Sequence, residues 1–246
     1  MSFNFLETLN ENQRKAVLHT SGPLLILAGA GTGKTRVLTT RLAYILNQNL
    51  ANPFETLTVT FTNKAASEMK QRVEGMLRIG TDGWWIGTFH AMGARILRKN
   101  PEIVGLKTQF SIIDIDDQIR LVKQALSYHN VDEKKWPSRL IHNIIQRWKD
   151  EGLNPEEISD DKIFGNVSGK NIYRTYQDRL LTLNVVDYGD LLLQNLNIFK
   201  NNPEILTTYQ KKFKYILVDE YQDTNICQNR WLNLLAENFK NICAVG

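Results

Sequence analysis

The sequence has no apolar run long enough to cross a membrane. Its longest uninterrupted apolar stretch, Leu24 to Ala28, has the length of a buried strand, whereas a membrane-spanning helix needs about 20 residues. The amino-terminal stretch carries Glu7 and Glu11 with no long apolar segment behind them, so it is a poor signal peptide. We therefore expect no membrane partner for this chain.

The sequence also has few cysteines and a small net charge. Cys227 and Cys243, the two cysteines among 246 residues, make no metal-ligand pattern, and we expect no disulfide framework from them. A reducing, cytoplasmic setting fits this composition best. The formal net charge of +4 is compatible with a polyanionic partner but does not require one.

In place of repeats or low-complexity segments, the sequence alternates short β-rich runs with segments of helical periodicity. The β-rich runs are residues 23–28, 57–61, 84–88, 214–218 and 241–245. Between the first two runs, Leu38, Leu42 and Ile45 recur at helical spacing. Strands separated by helices in this way indicate βαβ units, and so the sequence predicts an α/β fold with a parallel sheet.

The middle of the chain, from about residue 114 to 183, has a different pattern. Ile119, Val122 and Leu126 form an apolar stripe at helical spacing, and another stripe begins after Ser138, a possible helix cap. This part of the chain is therefore predicted to be helical.

These patterns suggest one domain interrupted by an insertion. Residues 1–106 and 184–246 are assigned to the α/β domain, and residues 107–183 to an all-helical insertion subdomain. Within the insertion, residues 152–169 contain turn-forming residues and clustered acids, which indicates a loop with at most a short helix.

A glycine-rich segment, AGAGTGKT, follows the first predicted strand. It matches the phosphate-binding loop pattern except that Ala replaces the usual first Gly. Backbone N–H groups in such a loop, and the dipole of the following helix, bind phosphate oxygens. Lys34 would reach the β- and γ-phosphates, and Thr35 would ligate Mg²⁺. The candidate nucleotide-binding residues are Ala28, Gly29, Ala30, Gly31, Thr32, Gly33, Lys34 and Thr35.

Two acids, Asp219 and Glu220, directly follow the β-rich run at residues 214–218. ATPases with a phosphate-binding loop need a carboxylate at the end of a neighbouring strand for Mg²⁺. Those that hydrolyse ATP also need a base that orients the attacking water. We assign Asp219 to the metal, together with Thr35, and Glu220 to the water. The expected cofactors are therefore ATP and Mg²⁺.

The segment DEYQDT, residues 219–224, resembles motif II of superfamily 1 DNA helicases of the UvrD/Rep/PcrA type. Other segments resemble further motifs of that family, in the family's order. They are residues 9–13 (LNENQ, the Q motif), 61–66 (FTNKAA, motif Ia), 87–90 (GTFH, motif Ib) and the terminal AVG (the entry to motif III). The resemblance spans essentially the whole chain and implies a RecA-like P-loop NTPase domain.

The resemblance also implies roles for individual residues. Gln13 would read the adenine edge, and Arg36 would contact the nucleotide. The implied catalytic residues are Lys34, Glu220 and Gln222. The implied DNA-binding residues are Phe61, Asn63, Thr88 and His90. Single strands are held by stacking bases on aromatic rings while polar groups contact the backbone. Phe61 would therefore stack on a base, and Asn63 would contact the DNA backbone.

Basic residues of the insertion allow two interpretations. They are Lys134, Lys135, Arg139, Arg147 and Lys149. They either contact duplex DNA or form a solvated basic face, and the sequence does not choose between these. Trp136 and Trp148 are expected to be packing residues.

The implied function is that of an ATP-dependent DNA helicase moving 3′ to 5′, with single-stranded DNA and single/double-strand junctions as partners. In this family a second RecA-like domain, missing from this chain, supplies transition-state arginines. Since loss of such an arginine costs on the order of 10³–10⁵ in rate, this chain alone is expected to hydrolyse ATP barely or not at all. The alternatives are a helicase–nuclease subunit, a truncated non-motor nucleotide-binding module and an RNA helicase.

Overall fold

The computed structural model describes residues 6–29 and 31–246. Its strands are β1 (Leu24–Ile26), β2 (Thr56–Thr60), β3 (Trp85–Thr88), β4 (Ser111–Ile112), β5 (Ile163–Phe164), β6 (Val167–Ser168), β7 (Val185–Val186), β8 (Tyr215–Val218) and β9 (Ile242–Val245). Its helices are α1 (Glu11–Leu18), α2 (Lys34–Asn47), α3 (Asn63–Leu77), α4 (Phe89–Leu97), α5 (Ile115–Tyr128), α6 (Ser138–Asp150), α7 (Gly169–Thr182), α8 (Asp190–Asn201), α9 (Pro203–Lys212) and α10 (Ile226–Ala236). In the described part of the chain, no helix combines the length and the apolar character that crossing a bilayer requires.

Five strands form one parallel sheet in the order β1-β9-β8-β2-β3. The predicted α/β fold with a parallel sheet is confirmed. Strand β8 lies between β2 and β9, so a segment from late in the chain occupies the middle of the sheet. Because all five strands run the same way, their carboxyl ends lie at one edge, where ligands bind in open α/β sheets.

Helices α2 and α3 cover one face of this sheet. Leu38, Leu42 and Ile45 of α2 and Met69 and Val73 of α3 are buried in one apolar cluster with side chains of the strands. Burial of such side chains stabilises a fold by about 1.5–3 kcal/mol each. Because these residues recur at helical spacing, they hold one side of α2 against the sheet. The start of α2, and with it the end of the phosphate loop between β1 and α2, is thereby fixed in position.

Strand β1 differs from the fully buried strand that the sequence predicts. Leu24 and Ile26 pack against the apolar cluster under α2, but Leu25 is 57% exposed and Leu27 78% exposed. The reason is the face to which each side chain points, because successive residues of a strand point to opposite faces of the sheet. Leu24 and Ile26 lie on the face that α2 covers, whereas Leu25 lies on the opposite face. Edge position alone is not the cause, since β3 is the other edge strand of this sheet and all four of its residues are buried.

The chain divides into two compact units. One contains the described residues up to Met92 together with Pro203–Thr224 and Leu232–Gly246. The other contains Gly93–Asn202 and Asn225–Trp231. The domain boundaries at residues 106/107 and 183/184 stay predictions.

The second unit is mainly helical. Side chains of α5, α6 and α7 form its apolar core, in which Trp148 is buried and Trp136 is partly buried, as expected of packing residues. It also holds two strand pairs that the sequence analysis did not predict: β4 with β7, parallel, and β5 with β6, antiparallel. The second pair and a 3₁₀ turn at Pro155–Glu157 lie within the segment at residues 152–169 that was predicted to be a loop with at most a short helix.

One local expectation is wrong, and two helices are present that the sequence patterns do not predict. Ser138 is the first residue of α6 and not its cap, because Pro137 holds the cap position and the Ser138 hydroxyl instead donates to Glu133 Oε1 at 3.1 Å. Helices α1 and α9 were not predicted. Both are short, at 8 and 10 residues, and short helices give weak periodic signals.

Lys149 lies on no solvated basic face. Its Nζ is 2.7 Å from Asp187 Oδ2 and 2.9 Å from Asp190 Oδ1, and the Lys149 side chain is 0% exposed. The Tyr176 hydroxyl donates to the same Asp187 oxygen at 2.9 Å. Both interpretations that the sequence allowed for Lys149 are therefore wrong. The other basic residues of that set, Lys134, Lys135, Arg139 and Arg147, are exposed.

Candidate nucleotide site at the sheet edge

The phosphate loop, residues 28–35, connects β1 to α2, which begins at Lys34. Gly31 and Gly33 have φ of 75° and 89°, left-handed angles that glycine adopts without strain. Gly33 occupies the cap position of α2, and no side chain accepts a hydrogen bond there. The first N–H groups of α2 are therefore available to an anion. Ala30, one of the predicted binding residues, lies outside the described residues.

The start of the loop is fixed by backbone pairing. Ala28 N donates to Gly246 O at 2.9 Å, and Gly246 N donates to Ile26 O at 3.0 Å. Ala28 has no positive φ, which explains why alanine fits where the pattern has glycine. Within the loop, the Thr32 hydroxyl donates to Gly29 O at 2.7 Å.

Thr35 and Asp219 come together beneath the loop. The Thr35 hydroxyl donates to Asp219 Oδ2 at 3.3 Å. Asp219 follows β8 and is 2% exposed. Burial, and next the neighbouring charge of Glu220, raise the pKa of Asp219 above its ordinary value. A buried carboxylate whose negative charge is poorly stabilised is a suitable partner for a cation.

This pair of oxygen ligands fits Mg²⁺. The ion prefers six oxygens, and proteins commonly supply one or two of them while water and phosphate supply the rest. In the described residues, no group of three or more His, Cys, Asp and Glu side chains could hold a metal. A Mg²⁺ ion at Thr35 and Asp219 would therefore depend on nucleotide phosphates for further ligands.

Glu220 lies beside Lys34 at the mouth of the loop. Lys34 Nζ is 3.4 Å from Glu220 Oε2, and Gln222 Nε2 donates to the same oxygen at 2.7 Å. The hydrogen bond from Gln222, followed by the charge of Lys34, lowers the pKa of Glu220. Glu220 also has φ of 50°, which is unusual for a residue with a side chain. The carboxylate is thus ionised and held in place by the two other residues of the predicted catalytic group.

Gln13 reaches the loop from the other side. Its Nε2 donates to Thr32 O at 3.0 Å, and its Oε1 accepts from Asn10 N at 3.1 Å. Asn10 caps α1 in return by accepting from Gln13 N at 2.9 Å. Arg36 is exposed on the first turn of α2.

The predicted DNA-binding residues follow β2 and β3, at the same sheet edge. Phe61 packs against Phe89, with ring centroids 5.4 Å apart. The Thr88 hydroxyl accepts from Ala91 N at 3.2 Å and is buried, so it serves the start of α4. Burial lowers the pKa of His90, which favours the neutral ring. Asn63 is exposed at the first position of α3.

Sequence reasoning missed two features of the site. The capping box of Asn10 and Gln13 was visible as Asn-x-x-Gln, a recognised helix-start pattern. Arg41, which contacts α1, was visible as a charged residue within the apolar stripe of Leu38, Leu42 and Ile45. A charge in a core-facing stripe signals a specific buried contact.

Comparison with known proteins gives one family and a set of relatives. The family described as "UvrD/REP helicase N-terminal domain" matches residues 9–246. A "Probable DNA helicase II homolog" of Rickettsia felis is 54% identical over 99% of this chain and 38% of its own length. "ATP-dependent DNA helicase PcrA" of Bacillus subtilis is 45% identical over 100% of this chain and 33% of its own length. The chain thus spans between 33% and 38% of the length of these two curated relatives.

Proposed function

We propose that this chain, which belongs to the UvrD/REP helicase N-terminal domain family, is the ATP-binding part of a DNA helicase. The observation that carries the proposal is the contact between Thr35 and Asp219, which lie 184 positions apart in sequence and 3.3 Å apart in space. That contact joins the phosphate loop to the acidic strand end, the two parts that ATP hydrolysis requires.

The chemistry is transfer of the γ-phosphoryl group to water. The oxygen of water forms a bond to the γ-phosphorus while the bond from that phosphorus to the β,γ-bridging oxygen breaks, giving ADP and phosphate. Glu220 orients the water and takes its proton, and Gln222 holds the Glu220 carboxylate. When ATP binds, Lys34 leaves its ion pair with Glu220 and pairs with the β- and γ-phosphates. Thr35 and Asp219 would hold Mg²⁺, which supplies charge neutralisation on the phosphate oxygens.

Several finer assignments belong to this proposal. Gln13 reads adenine, and Arg36, exposed beside the loop, contacts the nucleotide. Phe61 stacks on a base, while Asn63, Thr88 and His90 contact single-stranded DNA near a single/double-strand junction. A second RecA-like domain outside these 246 residues supplies transition-state arginines, and movement is 3′ to 5′ in a cytoplasmic setting. The DNA contacts are supported by the resemblance of the motifs together with the shared sheet edge, the second domain and the direction of movement by the resemblance alone, and the cytoplasmic setting by the composition.

The decisive experiment measures ATP binding and turnover by the 246-residue chain, with and without single-stranded DNA. We expect ATP–Mg²⁺ binding that Lys34→Ala abolishes, with turnover close to background because the transition-state arginines are supplied by another domain. DNA-stimulated turnover that disappears in Lys34→Ala would show that this chain is a complete ATPase. Absence of Lys34-dependent binding would refute the proposed function.

A competition assay separates DNA from RNA as the nucleic-acid partner. Single-stranded DNA and RNA of one sequence differ at the 2′-hydroxyl, which is what lets a protein distinguish them at a given site. We expect DNA to compete better for binding to the chain. Preference for RNA would favour the RNA helicase alternative.

A further inference from the structure

Arg41 is a buried cation inside the apolar face of α2. Its side chain is 1% exposed, and it lies one helical turn from Leu38 and Ile45 on the face that packs into the core. Its Nη1 donates to Ala16 O at 2.8 Å and also to His19 O. Its Nε is buried without a hydrogen-bond partner among the described residues. A buried guanidinium with an unsatisfied donor is costly, so packing alone is a poor reason for an arginine here.

The contacts of Arg41 are at the carboxyl end of α1. Ala16 belongs to the last turn of α1 and His19 is its cap residue. The last carbonyls of a helix have no partner within the helix, and a cation there also interacts favourably with the helix dipole. Arg41 therefore holds the end of α1 at a defined position on α2.

The other end of α1 touches the phosphate loop through Gln13. Its carboxamide is held between Asn10 N and Thr32 O, and a side chain added at Gly33 would come within 3.1 Å of Gln13 Nε2. Helix α1 has 8 residues, which corresponds to a length of about 12 Å. So short a rod transmits a displacement at one end directly to the other.

We propose that Arg41 is a positioning residue for nucleotide binding, which fixes Gln13 beside the phosphate loop by holding the far end of α1. This inference rests on the proposed ATP binding. A carboxamide can pair with the N6 amino group and N7 of adenine, but guanine presents an O6 acceptor in place of the N6 donor. Misplacing Gln13 should therefore reduce the preference for ATP over GTP.

The test is the ratio of ATP to GTP affinity in wild type, Arg41→Met, Gln13→Ala and the double variant. Methionine fills a similar volume, and replacing a buried charged group by a packed apolar side chain is often neutral for stability. We expect Arg41→Met to lower the ratio about tenfold, which corresponds to one lost neutral hydrogen bond. In the Gln13→Ala background, Arg41→Met should cause no further fall.

Lys15→Met is the matched control. Lys15 is a cation on α1, the helix that Arg41 contacts, but its ion pair with Glu11 at 2.7 Å is exposed, so its replacement should leave the ratio at the wild-type value. Hydrogen exchange gives a second readout, because α1 amides should lose protection in Arg41→Met and keep it in Lys15→Met. If Arg41→Met does not fold, Arg41→Lys, which keeps the charge, should give an intermediate ratio.

The outcomes separate this inference from the proposed function. Lys34-dependent ATP binding with a wild-type ratio in folded Arg41→Met, or in Arg41→Lys, would overturn the positioning role and leave the proposed function standing. An equal effect of Arg41→Met with and without Gln13 would also overturn it, because the effect would then not pass through Gln13. No Lys34-dependent binding in wild type would overturn both.

Discussion

Lys34 and Glu220 form an ion pair across the candidate site, with 3.4 Å between Nζ and Oε2. Glu220 is partly exposed, at 40% of its side chain, and exposed ion pairs contribute little to stability. Lys34 can therefore exchange this carboxylate for phosphate at small cost. The consequence is that Glu220 holds Lys34 at the mouth of the loop before a nucleotide enters.

Replacing Glu220 should separate binding from chemistry. Glu220→Gln removes a negative charge that repels the incoming phosphates while keeping the shape of the side chain. We expect ATP–Mg²⁺ to bind several-fold more tightly, because the variant neither repels the phosphates nor competes with them for Lys34. Charges near a protein surface interact by a few kcal/mol before screening. The measurement is titration of a fluorescent ATP analogue at low and high salt.

The matched control for that prediction is Glu68→Gln. Glu68 forms an exposed pair with Arg72 at 3.6 Å within α3, and its replacement should leave ATP affinity unchanged. Weaker ATP binding by Glu220→Gln than by Glu68→Gln would contradict the view that Glu220 competes with phosphate for Lys34.

Asp219 should be a residue at which stability is sacrificed to function. Its pKa is raised by burial and by Glu220, so the folded protein holds a proton on this group more tightly than the unfolded chain does. Such a group favours folding below its unfolded-state pKa and loses that contribution as pH rises through the higher folded-state pKa. At neutral pH the ionised carboxylate therefore destabilises the nucleotide-free protein.

Asp219→Asn should accordingly have a free energy of unfolding about 1 kcal/mol higher than wild type at pH 7, measured by denaturant titration. The advantage should shrink as pH falls towards about 4, the ordinary range of an aspartate. The same variant should lose the enhancement of ATP binding by Mg²⁺. A variant that is less stable than wild type at pH 7 would show that the Thr35 hydrogen bond outweighs the cost of burial.

Much of the fold and site follows from local pattern. The shape of the phosphate loop can be predicted from its glycines, which permit left-handed backbone angles. Strand β8 can be predicted from a β-rich run that is followed by two acids. The exposed side of β1 and the depth of Lys149 are different. Each depends on residues far away in sequence, and a single sequence does not pair Lys149 with Asp187. Arg41 lies between these cases, because its charge in an apolar stripe is visible in the sequence, but its partners are backbone carbonyls, which leave no sequence signature.

Limited proteolysis tests the predicted insertion boundaries. Residues 159–163 form an exposed run before the β5–β6 turn, and exposed loops are preferred sites of cleavage. We expect trypsin to cut first after Lys162, giving two fragments that mass spectrometry identifies. Lys162→Gln should remove that cut and leave the later ones. First cleavage within β2, β3 or β8 would contradict the proposed organisation.

The buried cluster of Lys149, Asp187 and Asp190 should dominate the stability of the helical unit. The charge of Lys149 and its hydrogen bond lower the pKa of Asp187 against the opposing effect of burial. Burial and the charge of Asp187 raise that of Asp190. Lys149→Met would leave two carboxylates buried without a cation, which typically costs about 3–5 kcal/mol. The measurement is the denaturant midpoint followed by tryptophan fluorescence, to which Trp148 beside the cluster contributes.

Two further variants make that last prediction specific to charge. Lys123→Met removes an exposed pair with Glu133 at 3.0 Å, and should cost less than about 1 kcal/mol. Asp190→Asn in the Lys149→Met background should recover part of the lost stability, because it removes one of the two unpaired charges. If the double variant is less stable than Lys149→Met alone, the hydrogen bonds of Asp190 matter more than its charge, since Gln177 donates to it at 3.0 Å.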